Sequence, residues 1–303
     1  MSVPIGLSDA SVKPKPGQVL SVRRYAYYPG CSLSSLALEY NQSVLEVCRV
    51  LGIELVEIPD WSCCGASSAH MTDDWLGHAL AARNLALAAR QGGDIAVVCP
   101  ACFQRLKSTQ LEVSNNHDLQ EKLRELELTV DTRGEIRHVL DIINRDVGTQ
   151  RIREKVVRSL NGLKVVCYYG CYLVRPPELT ACDDPENPQG MDRLVAATGA
   201  EVWDWDGKVD CCGGSISVSN KKVAVDLVTH IAHDAQTVGA EAVVTACPLC
   251  QINLETRQNT EKPLPVFYFT ELLGLALGLS ARPWFKRHII SPVPLLKAHR
   301  LLD

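Results

Sequence analysis

Ten cysteines fall into two copies of one pattern. In the first copy Cys31 precedes the pair Cys63-Cys64 and the element Cys99-Pro100-Ala101-Cys102; in the second Cys171 precedes Cys211-Cys212 and Cys247-Pro248-Leu249-Cys250. Thiolates are soft ligands that select zinc, copper(I) and iron–sulfur clusters. Proline suits the first turn of a helix, where its missing N–H would have no intrahelical partner, so Cys-Pro-x-Cys sets two thiols near one another at a helix start. That terminus also favours the thiolate form. Adjacent cysteines on an extended chain point to opposite faces. Using both at one site needs a sharp turn, or something large between them. Gly65 and Gly213 follow the two pairs and permit the positive φ of such a turn. A zinc ion takes four ligands, and five cysteines per copy exceed that; a polynuclear cluster is large enough to be gripped from several directions.

Plainer readings stand beside this one. A single Cys-Pro-x-Cys also fits a thioredoxin-like dithiol, and zinc in one half is an alternative to a second cluster. Cys48, Cys167 and Cys182 have no counterpart in the other copy and read as buried, inert thiols. Cys167 comes closest to an exception, four residues before Cys171 at the end of a strand. His70 is a candidate proton source for a thiolate, although Val218 stands at the matching place.

The elements that must position these thiols repeat with them. At an offset of 148, Cys63-Cys64-Gly65 falls on Cys211-Cys212-Gly213 and the 96–102 segment on 244–250, with 34 residues between pair and Cys-Pro-x-Cys in both copies. Upstream, 31 residues separate Cys31 from its pair and 39 separate Cys171 from its own; the excess of eight falls in the Asp-, Pro- and Asn-rich stretch 181–190, an inserted loop. Downstream, 136–143 resembles 266–273. Each half alternates strand and helix: strands at 24–28, 53–58 and 94–98 and at 164–168, 200–203 and 242–245, with helices at 75–89 and 222–238 and helix stops at Gly52 and Gly199. The expectation is an α/β chain of two homologous halves, each a small parallel Rossmann-like sheet flanked by helices and related by internal pseudo-symmetry. Ligands then lie outside the carboxyl ends of the strands, where all three cysteine elements of each half fall. The expected units are an N-terminal arm at 1–23, taken as flexible, and cysteine domains at 24–155 and 156–303.

The 303 residues, 46% hydrophobic and 22% charged, suit a globular chain of about two domains. A net charge of −4 with both signs interspersed favours neither nucleic acid nor a polybasic membrane anchor. The N-terminal stretch lacks the apolar core of a secretory signal. The apolar run 264–279 is too short to span a bilayer and reads as a helix packed in the core or at an interface. Thirteen cysteines without such a signal point to metal or redox chemistry in a reducing cytoplasm.

From about residue 24 onward the chain resembles the CCG-domain (cysteine-rich) family, and within it the B subunits of heterodisulfide reductases, through both complete C…CCG…CPxC motifs, the 269–278 segment and Pro294-Leu295-Leu296. The resemblance implies two non-cubane 4Fe-4S clusters, each served by five cysteines. By matching position these are Cys31, Cys63, Cys64, Cys99 and Cys102 for one, and Cys171, Cys211, Cys212, Cys247 and Cys250 for the other. It further implies reduction or formation of a disulfide, or of a related small or protein-bound sulfur substrate, by one-electron steps. The clusters themselves would be catalytic. The chain carries no ferredoxin cysteine run and no G-x-G-x-x-G fingerprint. Nothing in the chain then supplies the electrons, and the resemblance implies a ferredoxin-like C-type subunit beside it and, beyond that, a flavin-bearing A-type subunit. The alternative is a non-catalytic electron-transfer or assembly subunit of a lactate, glycolate or succinate type dehydrogenase complex.

Overall fold

Parallel pairing of short apolar strands gives two four-stranded sheets of the same order in a computed structural model of the chain, which describes residues 23–66, 69–131 and 133–302. The first sheet holds β1 (Arg23–Tyr28), β2 (Ile53–Glu57), β3 (Ile95–Val97) and β4 (Ile136–His138) in the order β2-β1-β3-β4. The second holds β5 (Lys164–Tyr168), β6 (Glu201–Val202), β7 (Ala242–Thr245) and β8 (Val266–Tyr268) in the order β6-β5-β7-β8. Helices cover both faces of such sheets, so the strands are continuous apolar runs rather than alternating ones; β3 and β7 are buried along their whole length. In each sheet the strand order reverses beside the first strand, between β1 and β3 and between β5 and β7. That is the crevice where doubly wound sheets bind ligands.

The expected helices form where their caps allow. Asp73 accepts from the Leu76 amide to start Asp74–Ala89, and Asn220 does the same with Val223 for Lys221–Thr237. Leu38–Leu51 ends at Gly52 in the left-handed region, which costs glycine nothing. The inserted 181–190 stretch is a loop pinned by carboxylates: Asp183 accepts from the Gln189 and Gly190 amides, and Asp184 from Glu186 and Asn187. Within the apolar 264–279 run only Phe269–Ala276 is helical, because Val266–Tyr268 pairs with β7 as a strand first. The expected arm at 1–23 lies, except for Arg23, outside the described residues.

The halves are joined by reciprocal packing. Phe269–Ala276 of the second half packs on Leu38–Leu51 of the first, and Gly190–Ala196 of the second packs on the Val139–Ile142 helix that follows β4. At the first seam Tyr40 stacks on Tyr268 with ring centres 3.9 Å apart, and the Ser43 and Thr270 hydroxyls share a 2.7 Å hydrogen bond. One apolar core therefore runs through both sheets.

A buried charge cluster fixes the second Cys-Pro-x-Cys helix from behind. His288 lies between Glu255 of Pro248–Arg257 and Glu271 of Phe269–Ala276, each ring nitrogen 3.0 Å from a carboxylate oxygen. Two acceptors facing both nitrogens require the imidazolium. Burial opposes that charge, yet the two carboxylates outweigh it and push the His288 pKa up to about 10. A pKa raised on folding stabilises fully below the unfolded value and is lost as pH rises through the folded one. His288→Gln should therefore cost about 3–5 kcal/mol in mildly acidic buffer. Its urea midpoint should approach that of the wild type as pH rises toward about 10; a difference independent of pH would contradict the imidazolium.

Candidate metal centres

Each half folds three cysteine elements onto the carboxyl edge of its sheet. After β1 the chain turns at Gly30, φ +75°, into a short helix that carries Cys31. A Cβ on Gly30 would stand 3.0 Å from the Cys102 sulfur, and one on Gly170 3.1 Å from the Cys250 sulfur. The missing side chain is thus what lets the last cysteine of each set lie against the backbone next to the first. Cys99 and Cys247 are the N-cap residues of Pro100–Asn115 and Pro248–Arg257, with proline at the first helical position as the motif requires. Gly65 and Gly213 adopt φ of +79° and +71° at the turn after the cysteine pairs.

Polar groups below the turns hold them. The Tyr28 hydroxyl donates to the Ser62 carbonyl at 2.7 Å, and that of Tyr168 to the Asp210 carbonyl at 2.6 Å, each at the residue before a cysteine pair. Asn84, buried in Asp74–Ala89, accepts from the Ser62 amide and donates to its carbonyl, clamping the first turn from the other side. In the second half Asn253 donates to the Cys212 carbonyl. Motif reading does not single out Tyr28, Tyr168, Asn84 or Asn253. The two tyrosines do carry a signal, since they recur just ahead of Gly-Cys in both copies; the asparagines stand at different offsets and carry none.

The sulfur atoms meet. Cys64 and Cys102 are 3.2 Å apart, Cys212 and Cys250 3.7 Å. Backbone amides also aim at sulfur: Gly65 at Cys63, Gly213 at Cys211 and Cys250 at Cys247, each at 3.4 Å. Thiols that accept hydrogen bonds from their neighbours are held below the usual range: Cys64 by Cys102 and Cys63, Cys99 by Cys102, Cys211 by Cys171 and Cys212 by Cys250. Their donors Cys102, Cys63, Cys171 and Cys250 are pushed up. Protons shared among touching sulfurs are what a metal displaces when it binds.

Cys48 and Cys182 stand apart from this pattern. Burial pushes both up to about 12. Cys48 belongs to the buried face of Leu38–Leu51, and Cys182 lines a small cavity beside Lys107 and Arg145. Cys167 is buried in β5, where its nearest charges are Asp192 and Lys208 rather than the other cysteines. The Nδ1 of His70 faces the Gly65 carbonyl at 3.3 Å, at the edge of the first set rather than on a sulfur.

All ten repeated cysteines are free thiols, five to a half, and within the halves Cys64 meets Cys102 and Cys212 meets Cys250, with backbone N–H groups aimed at Cys63, Cys211 and Cys247. That chemistry fits an iron–sulfur cluster and exceeds what one zinc ion takes. Cys31 and Cys211 are exposed, so neither set is sealed. A cleft of about 120 Å³ opens beside the first set, lined by Ala66, His70, Gln104, Arg105 and Ser108 of the first half and by Tyr172, the neighbour of Cys171, from the second. Gln104 bridges the halves there through the carbonyls of Tyr172 and Arg175.

A family model described as the CCG cysteine-rich domain matches residues 25–107 and 165–255. The 8-methylmenaquinol:fumarate reductase membrane anchor subunit of Wolinella succinogenes is 31% identical over 269 residues, spanning 86% of this chain and 94% of its own. The B subunit of the ferredoxin/F(420)H(2)-dependent CoB-CoM heterodisulfide reductase of Methanosarcina acetivorans is 30% identical over 273 residues, spanning 85% and 90%. A solved structure of a hypothetical protein from Helicobacter pylori shares the fold at a TM-score of 0.66 and 12% identity, over 94% of this chain and 54% of that one.

Exposure orders the reactivity of the metal-free sets. Brief anaerobic treatment with iodoacetamide should modify Cys31 and Cys211 before Cys64, Cys102, Cys212 and Cys250, as read by peptide mass mapping. Prior loading with iron and sulfide should protect both. Equal labelling of all ten would mean that the converged arrangement does not form.

Proposed function

Since the chain belongs to the CCG cysteine-rich domain family, we propose that it is the substrate-facing iron–sulfur subunit, of B type, in a heterodisulfide-reductase-like complex. Cys31, Cys63, Cys64, Cys99 and Cys102 hold one non-cubane 4Fe-4S cluster, and Cys171, Cys211, Cys212, Cys247 and Cys250 hold the other. When bound, such clusters supply the single electrons of which cleavage of a sulfur–sulfur bond needs two, the cofactor carrying the hard chemistry and the protein its placement. The observation that carries this reading is the open cleft built from both halves, which touches the turn after Cys64 and the residue beside Cys171. An electron relay has no need of it.

The chain's own residues shape that cleft. Tyr172 and Gln104 form its seam, and Arg105 puts a permanent positive charge on its wall. With the Nδ1–H of His70 donated to the Gly65 carbonyl, Nε2 is the atom left to take or return a proton during sulfur chemistry. The amides of Gly65 and Gly213 donate to the sulfurs of Cys63 and Cys211, which favours their charged, ligating form. Electrons arrive from a ferredoxin-like partner and, behind it, a flavin-bearing one, and the complex works in the cytoplasm on a small disulfide or a protein-bound sulfur.

A second reading is favoured by the Wolinella succinogenes relative, whose name is that of a fumarate reductase subunit. Here the same two clusters would relay electrons within a dehydrogenase complex without meeting a sulfur substrate. No helix among the described residues is long and apolar enough to cross a membrane, so any anchoring would use another device.

Anaerobically purified chain should contain about eight iron atoms, four per cluster. Cys64→Ser and Cys212→Ser should each lose about half of that iron, while Cys48→Ala and Cys182→Ala keep it all, by iron and sulfide analysis. Zinc with about four irons would make one half structural. A small artificial reductant should reduce the isolated chain, whereas NADH-dependent turnover of a disulfide should need added partner subunits. A reduced chain with partners present that leaves every disulfide tested intact would favour the relay reading.

A further inference from the structure

The two cysteine sets are alike in their ligands and unlike in charge. Arg105 and Asn253 occupy the same place, three residues after the last cysteine of each set and at the repeat offset of 148. On a helix that spacing keeps them on the face of Cys102 and Cys250. Arg105 lines the cleft beside the first set, on a wall that also holds Ala66, two residues after Cys64. Asn253 is uncharged and buried, and spends its amide on the Cys212 carbonyl. At the turn itself the difference runs the same way. Ser62 precedes the first pair, and its equivalent Asp210 precedes the second, which places a carboxylate on the residue next to Cys211. Asp210 is exposed and lies with His230 and Asp234, so the second set carries a carboxylate directly beside Cys211 at its exposed edge.

We propose that Arg105 and Asp210 make the two metal centres unequal, so that an electron entering the pair settles on the first centre, beside the cleft, before the second is reduced. The inference rests on the reading that each set holds an iron–sulfur cluster. In the step itself an outside one-electron donor is oxidised by one electron and the first centre gains it; no bond breaks and no proton has to move. The added electron is one more negative charge. A guanidinium stays charged at every accessible pH, and at a partly buried site it acts through a lower effective dielectric than water. The Asp210 carboxylate at the second set opposes the same charge, more weakly because it is exposed and screened. Reduction potentials of such clusters follow net charge, hydrogen bonds to sulfur and exposure, and it is the charge that Arg105 and Asp210 make different between the halves. Electrons would thus collect where the cleft offers a substrate to receive them.

The test is a potentiometric titration of the anaerobic, iron-loaded full chain, followed by electron paramagnetic resonance, after iron analysis has shown both centres filled. Wild type should show two separate one-electron steps, and Cys64→Ser should retain only the lower. Arg105→Asn should move the upper step to lower potential and leave the other in place, with Arg105→Lys restoring it. Asp210→Ser should raise the lower step alone. Coincident steps in wild type, an Arg105→Asn chain with both steps unmoved, or a shift confined to the lower step would each overturn the proposal. A chain that takes up no iron would overturn the cluster reading with it, and would be recognised at the iron analysis, before any titration.

Discussion

A parallel sheet brings the carboxyl ends of all its strands to one edge, and the cysteine chemistry of this chain depends on that constraint. Elements 31 to 39 residues apart in sequence could meet in many ways on a flexible chain, but closing such loops costs conformational entropy each time. Here the sheet meets that cost through burial of its strands, and the thiols arrive as by-products of strand order. Cys31 follows β1, the pair Cys63-Cys64 follows β2, and Cys99 follows β3. Because β1 and β3 flank the point where the order reverses, the single cysteine and the Cys-Pro-x-Cys element lie on either side of one crevice.

The second consequence is tolerance of glycine where packing would otherwise reject it. Gly30 and Gly170 bury no side chain and adopt a conformation that L residues rarely take, yet a methyl group there would stand against a sulfur. The tyrosines two residues earlier complete the device, since their hydroxyls tie the pair turn to the same strand end. Backbone geometry and hydrogen bonds to carbonyls therefore hold the turns that carry the sulfurs, in addition to the contacts among the thiols. That suits a donor set whose sulfurs repel one another once their protons are gone.

Much of this is legible in the sequence, for a physical reason. Duplication leaves residues that cannot vary at a constant offset, so Cys63-Cys64-Gly65 and its copy, the two Cys-Pro-x-Cys helix starts and the helix stops at Gly52 and Gly199 all stand out from the amino-acid order by itself. The strand at 266–268 inside an apolar run is less visible, because periodicity does not separate a short buried strand from a buried helix. The seam is not visible at all. Tyr40 on Tyr268 and Ser43 on Thr270 join residues whose proximity arises only when the halves pack, and the charge cluster of His288 between Glu255 and Glu271 forms inside the second half from residues that do not repeat. Arg105 escapes notice for the opposite reason. The repeat places it on Asn253, but a repeat is recognised by what its copies share, and the informative feature here is a difference.

That difference bears on how one frame can serve two kinds of complex. The ligand frame depends on strand ends, glycines and carbonyl contacts, which are nearly the same in both halves and indifferent to what lies outside them. The cleft depends on side chains such as Arg105, Gln104 and Tyr172, which contribute little to holding the sheet edge. Substitution there can change what approaches the sulfurs without disturbing how they are held. A duplicated domain has further freedom, since one copy can acquire a charge while the other keeps a neutral amide. Like donor sets in unequal fields would give a pair with a direction, which neither half has alone, and the cleft lies on the side of the set that carries the arginine.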